Sequence, residues 1–241
     1  MSVPLHDLII RHIAEFLCGE NRTLLNLMQV SKRFYGLRDV FIGQICLNGH
    51  ESTVAYEDKP YGWNKVRSMC LWPRADFTYL DLTTLHTLYL RDCDHIKNYQ
   101  LVHLRNLNTL YLEGCRFITD VSPLAKIHKL TLSFCRDVED ISPLEQVYDL
   151  TLHVCESIRD VSSLGNVTYL CISSCKNITD VSALGKVTHL CLSNCKNITD
   201  VSALGKVQWL RIEDCQGIKD ITALRQVPNL RIVNCFNIEQ E

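Results

Sequence analysis

The sequence predicts an α+β chain: three short helices over residues 1–45, a connecting segment over 46–65, and a solenoid of about eight to nine short repeats over 66–241, with a parallel β-sheet on its concave face. Three observations predict it. Cysteines recur every twenty residues from Cys115 to Cys235, each preceded by an L-x-L or L-x-I alternation. The string CKNITDVSALGKV begins at Cys175 and again, letter for letter, at Cys195. Ahead of the repeats, apolar residues fall at helical spacing instead.

The N-terminal helices come first. Leu5, Leu8, Ile9, Ile13, Phe16 and Leu17 recur at the spacing of one helix face through LHDLIIRHIAEFL. A second helix runs from about Arg22 through TLLNLMQV, and Ser31 then stands as the N-cap of a third, KRFYGLRDV. From Phe41 to Trp63 the chain reads as a connection, with Pro60 and Gly62 marking a turn.

The repeat follows. Aligned on its cysteine it reads L-x-L-x-x-C-x-x-I-x-D-V-S-x-L-x-x-V-x-x, as in Leu130, Leu132, Cys135, Val138, Asp140, Ile141, Leu144 and Val147. The two leucines of the alternation point the same way from a short strand. The cysteine takes the inner bend, the Asp opens a turn, and the L-x-x-V spacing returns the chain on a three-residue period suited to a 3₁₀ turn. One unit cannot bury its own apolar face, so the units stack and share a core. The stretch from Val66 to Leu88 is a degenerate first unit, an entry cap. At the other end, LRIVNCFNIEQE stops just after a strand, so the last unit is expected to fray or to self-associate.

Bulk properties exclude several functions. A net charge of -2 carries no basic field for nucleic acid or an acidic membrane. Arg11, His12 and Glu15 interrupt the apolar N-terminus, so no signal peptide is read there, and no run of eighteen apolar residues occurs. Thirteen cysteines, an odd number in a chain of this length, fit free thiols in a reducing compartment better than a disulfide scaffold. The expected location is intracellular, cytoplasmic or nuclear.

Two columns invite a metal. Cys171 with Cys175 and Cys191 with Cys195 resemble zinc spacing, but Cys171 and Cys191 lie between the strand leucines and face out while the other two turn inward. Asp120, Asp140, Asp160, Asp180, Asp200 and Asp220 line up as a calcium column would, yet an Asp before a turn is explained by accepting backbone N–H bonds. No metal and no cofactor is expected. The nine histidines are scattered and no phosphate loop or nucleophile with a base appears, so the chain reads as a non-catalytic adaptor.

Specificity is expected where the repeats differ. Residues 161–180 and 181–200 differ at five positions, and the next unit changes His189 to Trp209, Cys191 to Arg211 and Ser193 to Glu213. These strand positions alternate away from the leucines, onto the exposed sheet. Eight strands about 4.8 Å apart present a surface roughly 35 Å long. On it the residues expected to hold a protein target are Tyr89, Tyr111, Tyr169, His189, Trp209, Arg211, Glu213 and Arg231, because Trp, Tyr and Arg are enriched at binding hot spots.

The L-x-L-x-x-C spacing resembles the leucine-rich repeat family over residues 66–238. Its C-x-x-I-x-D element is similar to cysteine-containing repeats and its D-V-S-x-L element to the repeats of bacterial internalins. The helices LHDLIIRHIAEFL and LLNLMQVSKRFYGL resemble the F-box family, with V-S-K-R-F at Val30 to Phe34 the most specific stretch. The family's usual Leu-Pro start is replaced here by Leu5-His6, with Pro4 nearby, and no acidic residue follows the first helix directly. The resemblance implies a substrate receptor of a Skp/cullin/F-box ubiquitin ligase. An apolar surface including Leu5, Leu8, Ile9, Ile13 and Val30 would dock a Skp-family adaptor and through it a cullin, and ubiquitin transfer would be done by other subunits. The other reading is a protein-binding repeat scaffold whose helices are only a solenoid cap.

Overall fold

In a computed structural model, the described residues are 44–47, 68–71, 85–94 and 96–238. The three N-terminal helices, and with them Leu5, Leu8, Ile9, Ile13 and Val30, lie outside the described residues. Ten parallel strands form a single sheet in chain order. They are β1 (Gln44–Leu47), β2 (Ser68–Leu71), β3 (Thr87–Arg91), β4 (Thr109–Glu113), β5 (Lys129–Ser133), β6 (Asp149–His153), β7 (Tyr169–Ser173), β8 (His189–Ser193), β9 (Trp209–Glu213) and β10 (Asn229–Val233). From β3 to β9 each is followed by a 3₁₀ turn and returns one unit further along, as the period requires.

The sheet begins earlier than the repeat motif does. β1 falls at the boundary between the helical module and the segment read as a connection, and pairs Gln44 with Ser68 through Leu47 with Leu71. Ile45 and Leu47 fall, through Met69 and Leu71, in register with Leu88 and Leu90, but His50 stands where the unit would have its cysteine and the spacing to the next strand is not twenty.

Within each unit the side chains explain the path. Leu130 and Leu132 are fully buried while Lys129, Thr131 and Ser133 remain partly open, and every strand from β5 to β8 follows that alternation of inward and outward residues. The residue after each strand turns left-handed: Asp92, Gly114, Phe134, Val154, Ser174, Asn194, Asp214 and Asn234 all have φ between 49° and 67°. That conformation lets the ladder run one residue further, so that Phe134 N–H donates to the His153 carbonyl at 2.8 Å and Asn194 N–H to the Glu213 carbonyl at 2.8 Å. The cysteine then turns inward. Next, Asp140 Oδ1 accepts the Ser142 N–H at 2.8 Å, and Asp160, Asp180 and Asp200 repeat this bond onto Ser162, Ser182 and Ser202. Hydrogen bonds from the side chains and backbone N–H groups of Ser142, Ser162, Ser182, Ser202 and Thr222 hold the carboxyls of Asp140, Asp160, Asp180, Asp200 and Asp220 below the ordinary value of 3.8. The aspartate column is therefore a column of Asx turns.

The return path is the expected three-residue period. Leu124 N–H bonds the Val121 carbonyl at 2.9 Å and Ile127 N–H the Leu124 carbonyl at 3.0 Å, which brings all three side chains to the core. Gly165, Gly185 and Gly205 sit where neighbouring turns touch: a Cβ on Gly165 or Gly205 would lie 2.6 Å from the carbonyl oxygen of Ala183 or Ala223. On β10, whose neighbour is β9 alone, Leu230 and Ile232 are only partly buried, against 2% exposure for Leu190. Among the described residues no helix is long and apolar enough to cross a membrane.

Candidate functional site: a cysteine ladder beneath a ring-lined trough

Beneath the sheet runs the cysteine column. Cys93, Cys115, Cys135, Cys155, Cys175, Cys195 and Cys215 have no exposed surface. Cys135 Sγ donates toward the Leu112 carbonyl of the preceding unit at 3.6 Å and toward Ser133 at 3.5 Å, and Cys155, Cys175, Cys195 and Cys215 repeat the pair. Burial pushes the Cys155 and Cys175 thiols up to about 11 and Cys135 further still. Cys135, Cys155 and Cys175 thus keep the proton they donate. All ten cysteines from Cys93 to Cys235 are free, and the ladder bonds from Cys115 to Cys215 tie each unit to the one before it.

Above the sheet, the open face carries the variable columns in register. Thr109, Lys129, Asp149, Tyr169, His189, Trp209 and Asn229 are successive partners in one row; Tyr111, Thr131, Thr151, Cys171, Cys191, Arg211 and Arg231 form the next. The rings stack across strands, Tyr169 on His189 at 4.1 Å and His189 on Trp209 at 5.8 Å, both near parallel. Trp209 closes the series with 53% of its surface exposed. His189 Nδ1 is buried in the stack without a hydrogen-bond partner. Beside these rings lies a trough of about 740 Å³, whose walls include Tyr169, His189, Trp209, Arg211, Asn229 and Arg231, with Cys171 and Cys191 among its lining. That volume is in the range of small ligand sites, on an open sheet suited to an extended segment or a side-chain cluster.

Five of the eight residues expected on this face therefore gather: Tyr169, His189, Trp209, Arg211 and Arg231. Glu213 stands behind them and holds Arg211 Nη2 at 2.7 Å. Tyr89 and Tyr111 belong to a separate patch, stacked on each other at 4.3 Å. Next to that patch, Arg91 pairs with Glu113 at 3.1 Å and Lys129 with Asp149 at 2.6 Å. The Asp149 hydrogen bond raises the Lys129 ammonium above its ordinary value. Sequence reasoning missed Tyr148 and His128, which stack on each other at 4.5 Å and lead into the series, Tyr148 meeting Tyr169 at 5.4 Å. They precede their strands by one residue, outside the columns read as exposed. The available signal was an aromatic one position before an aromatic of the next unit.

No protein-family model and no curated protein matches the sequence. Solved structures do. An internalin, InlF, from Listeria monocytogenes is 26% identical with a TM-score of 0.55, over 71% of this chain and 54% of its own. The leucine-rich repeat domain of the type III effector XopL aligns over 97% of this chain and 96% of its own at 13% identity, with a TM-score of 0.56. The described residues form a leucine-rich-repeat solenoid with a cysteine ladder, a protein-binding repeat domain. This chain spans about half the length of the internalin structure. The internalin likeness agrees with the D-V-S-x-L element read in the sequence, and the XopL likeness shows the fold alone.

Proposed function

We propose that this chain is a target receptor: the trough on the open face of its repeats holds a protein target, and residues 1–45 dock a Skp-family adaptor that links it to a cullin-based ubiquitin ligase. The observation that carries target binding is the stacked run from Tyr148 to Trp209 beside Arg211 and Arg231. Rigid rings with a guanidinium beside them are the groups that dominate binding energy at protein interfaces. The unpartnered His189 Nδ1 is a further sign, because a buried polar atom left unpaired contributes nothing to stability. The ligase role rests on the resemblance of LHDLIIRHIAEFL and V-S-K-R-F to the F-box family. In that role the chain supplies proximity and no reacting group.

One observation favours the scaffold reading instead. The N-terminal segment leads directly into β1, the first strand of the sheet, which is where a cap would sit. Co-purification with a recombinant Skp-family adaptor separates the two. Binding by the full chain, lost on Ile13→Glu with the fold retained by circular dichroism, supports the receptor; no binding by a folded full chain leaves a scaffold. Target capture is tested separately. The double variant Trp209→Ala, Arg231→Ala is expected to lose a captured partner about 30-fold, and Lys129→Ala to keep it.

A further inference from the structure

Cys171 and Cys191 stand apart from the ladder cysteines. They are register partners on β7 and β8, in the row that faces the trough, and both are partly exposed. The ladder thiols are fully buried and donate into backbone carbonyls, whereas these two stand at the surface of the sheet, side by side on neighbouring strands. Thr151 flanks the pair on β6 and Arg211 on β9. Two thiols one strand apart on an accessible face are a chelating arrangement.

Geometry decides what they hold. In-register parallel strands lie about 4.8 Å apart. That separation lies within the roughly 4.4–6.8 Å of Cα spacing across which a disulfide can close, but both thiols are free in this structure. A bridging atom with two bonds to sulfur of about 2.3 Å each closes the same gap without moving a strand. Zinc in a structural site demands four protein donors, and no group of three or more His, Cys, Asp or Glu suited to a metal occurs among the described residues. The arrangement therefore selects a soft centre satisfied by two thiolates and one ligand of its own.

We propose that Cys171 and Cys191 form a two-thiol site for a thiophilic metal or metalloid centre, of the trivalent arsenical class, on the floor of the recognition trough. The electrostatics suit it: hydrogen bonding from Cys171, and then the Arg211 guanidinium, draw the Cys191 thiol down to about 7, while the Cys171 thiol is held up by its bond to Cys191. Arg211, the register neighbour of Cys191, favours the thiolate that opens the reaction. With phenylarsine oxide as the probe, Cys191 attacks arsenic and Cys171 follows. Two As–S bonds form, the arsenic–oxygen double bond is lost, and the oxygen leaves as water carrying both thiol protons. No electron is transferred.

The test uses the full chain, treated with phenylarsine oxide, washed, alkylated with iodoacetamide and mapped peptide by peptide. The expected result is joint protection of Cys171 and Cys191, reversed by a small dithiol such as dimercaptopropanol. Cys171→Ser and Cys191→Ser are each expected to weaken protection of the remaining thiol about 100-fold, because a second donor one strand away acts at high effective concentration. Equal alkylation of both with and without arsenical would overturn the proposal, as would protection confined to other cysteines or unaffected by either substitution. Mapping the unsubstituted protein keeps the test valid should a variant misfold. The result is independent of whether the trough also holds a protein target.

Discussion

The two halves of the open face use one scaffold to opposite ends. From β3 to β6 the exposed groups satisfy each other: Tyr89 stacks on Tyr111, Arg91 pairs with Glu113, and Lys129 with Asp149. From β7 to β10 a ring series ends in an exposed Trp209, a thiol pair faces the trough, and Arg231 faces it from the last strand. Beneath both halves the cysteine ladder and the leucines are alike, with Leu132 and Leu192 equally buried. The lesson is that a solenoid can place recognition in one stretch without altering the units that carry stability, since each unit contacts chiefly its neighbours.

The comparison breaks first in the core. Leu132→Ala under the self-paired half and Leu192→Ala under the open half should each cost about 2–5 kcal/mol and agree within about 1 kcal/mol by urea denaturation. A large disagreement would mean that the two halves are not energetically equivalent. Turn packing comes second. Gly185→Ala places a Cβ against the Ala203 carbonyl oxygen, and backbone cannot yield as a flexible side chain can, so a loss of about 1–3 kcal/mol is expected. The same column holds Ala125 and Glu145 in the first half, so Ala125→Gly should fail to stabilise.

A smaller effect of opposite sign belongs to Val154, whose φ of 51° is costly for a β-branched residue. Val154→Gly should raise stability by about 1 kcal/mol, read as a higher urea midpoint at unchanged slope. Lys129→Ala should cost no more than about 1 kcal/mol, since the Asp149 pair is partly exposed and solvent-screened, and its effect should shrink further in high salt. The smallest is pH dependence. The Asx-turn carboxyls of Asp140, Asp160, Asp180, Asp200 and Asp220 are held below 3.8, so their contribution is complete above that value and is lost as pH falls through their depressed values. The urea midpoint should therefore drop below about pH 4, and Asp180→Asn should flatten part of that drop.

Much of this was legible in the letters. The strand positions, the inward cysteine, the Asx turn and the 3₁₀ return were all read from one aligned unit, and the structure repeats them from Cys115 to Cys215. The outward placement of Cys171 and Cys191 was legible from their position between two leucines. β1 was not, because its I-x-L alternation comes without the cysteine and the twenty-residue spacing that mark the unit. Nor was Tyr148, whose place one residue ahead of its strand looks like a turn residue until its ring is found against Tyr169.

By itself the sequence determined the scaffold and the columns. Periodicity does this because a spacing of twenty residues returns each side chain to the same place on the next strand, whatever the neighbours are. Only the tertiary structure decided which members of a column are spent on each other. Glu113 meets Arg91 while Glu213 meets Arg211 of its own strand, and that choice depends on side-chain reach across neighbouring strands, which no repeat unit encodes.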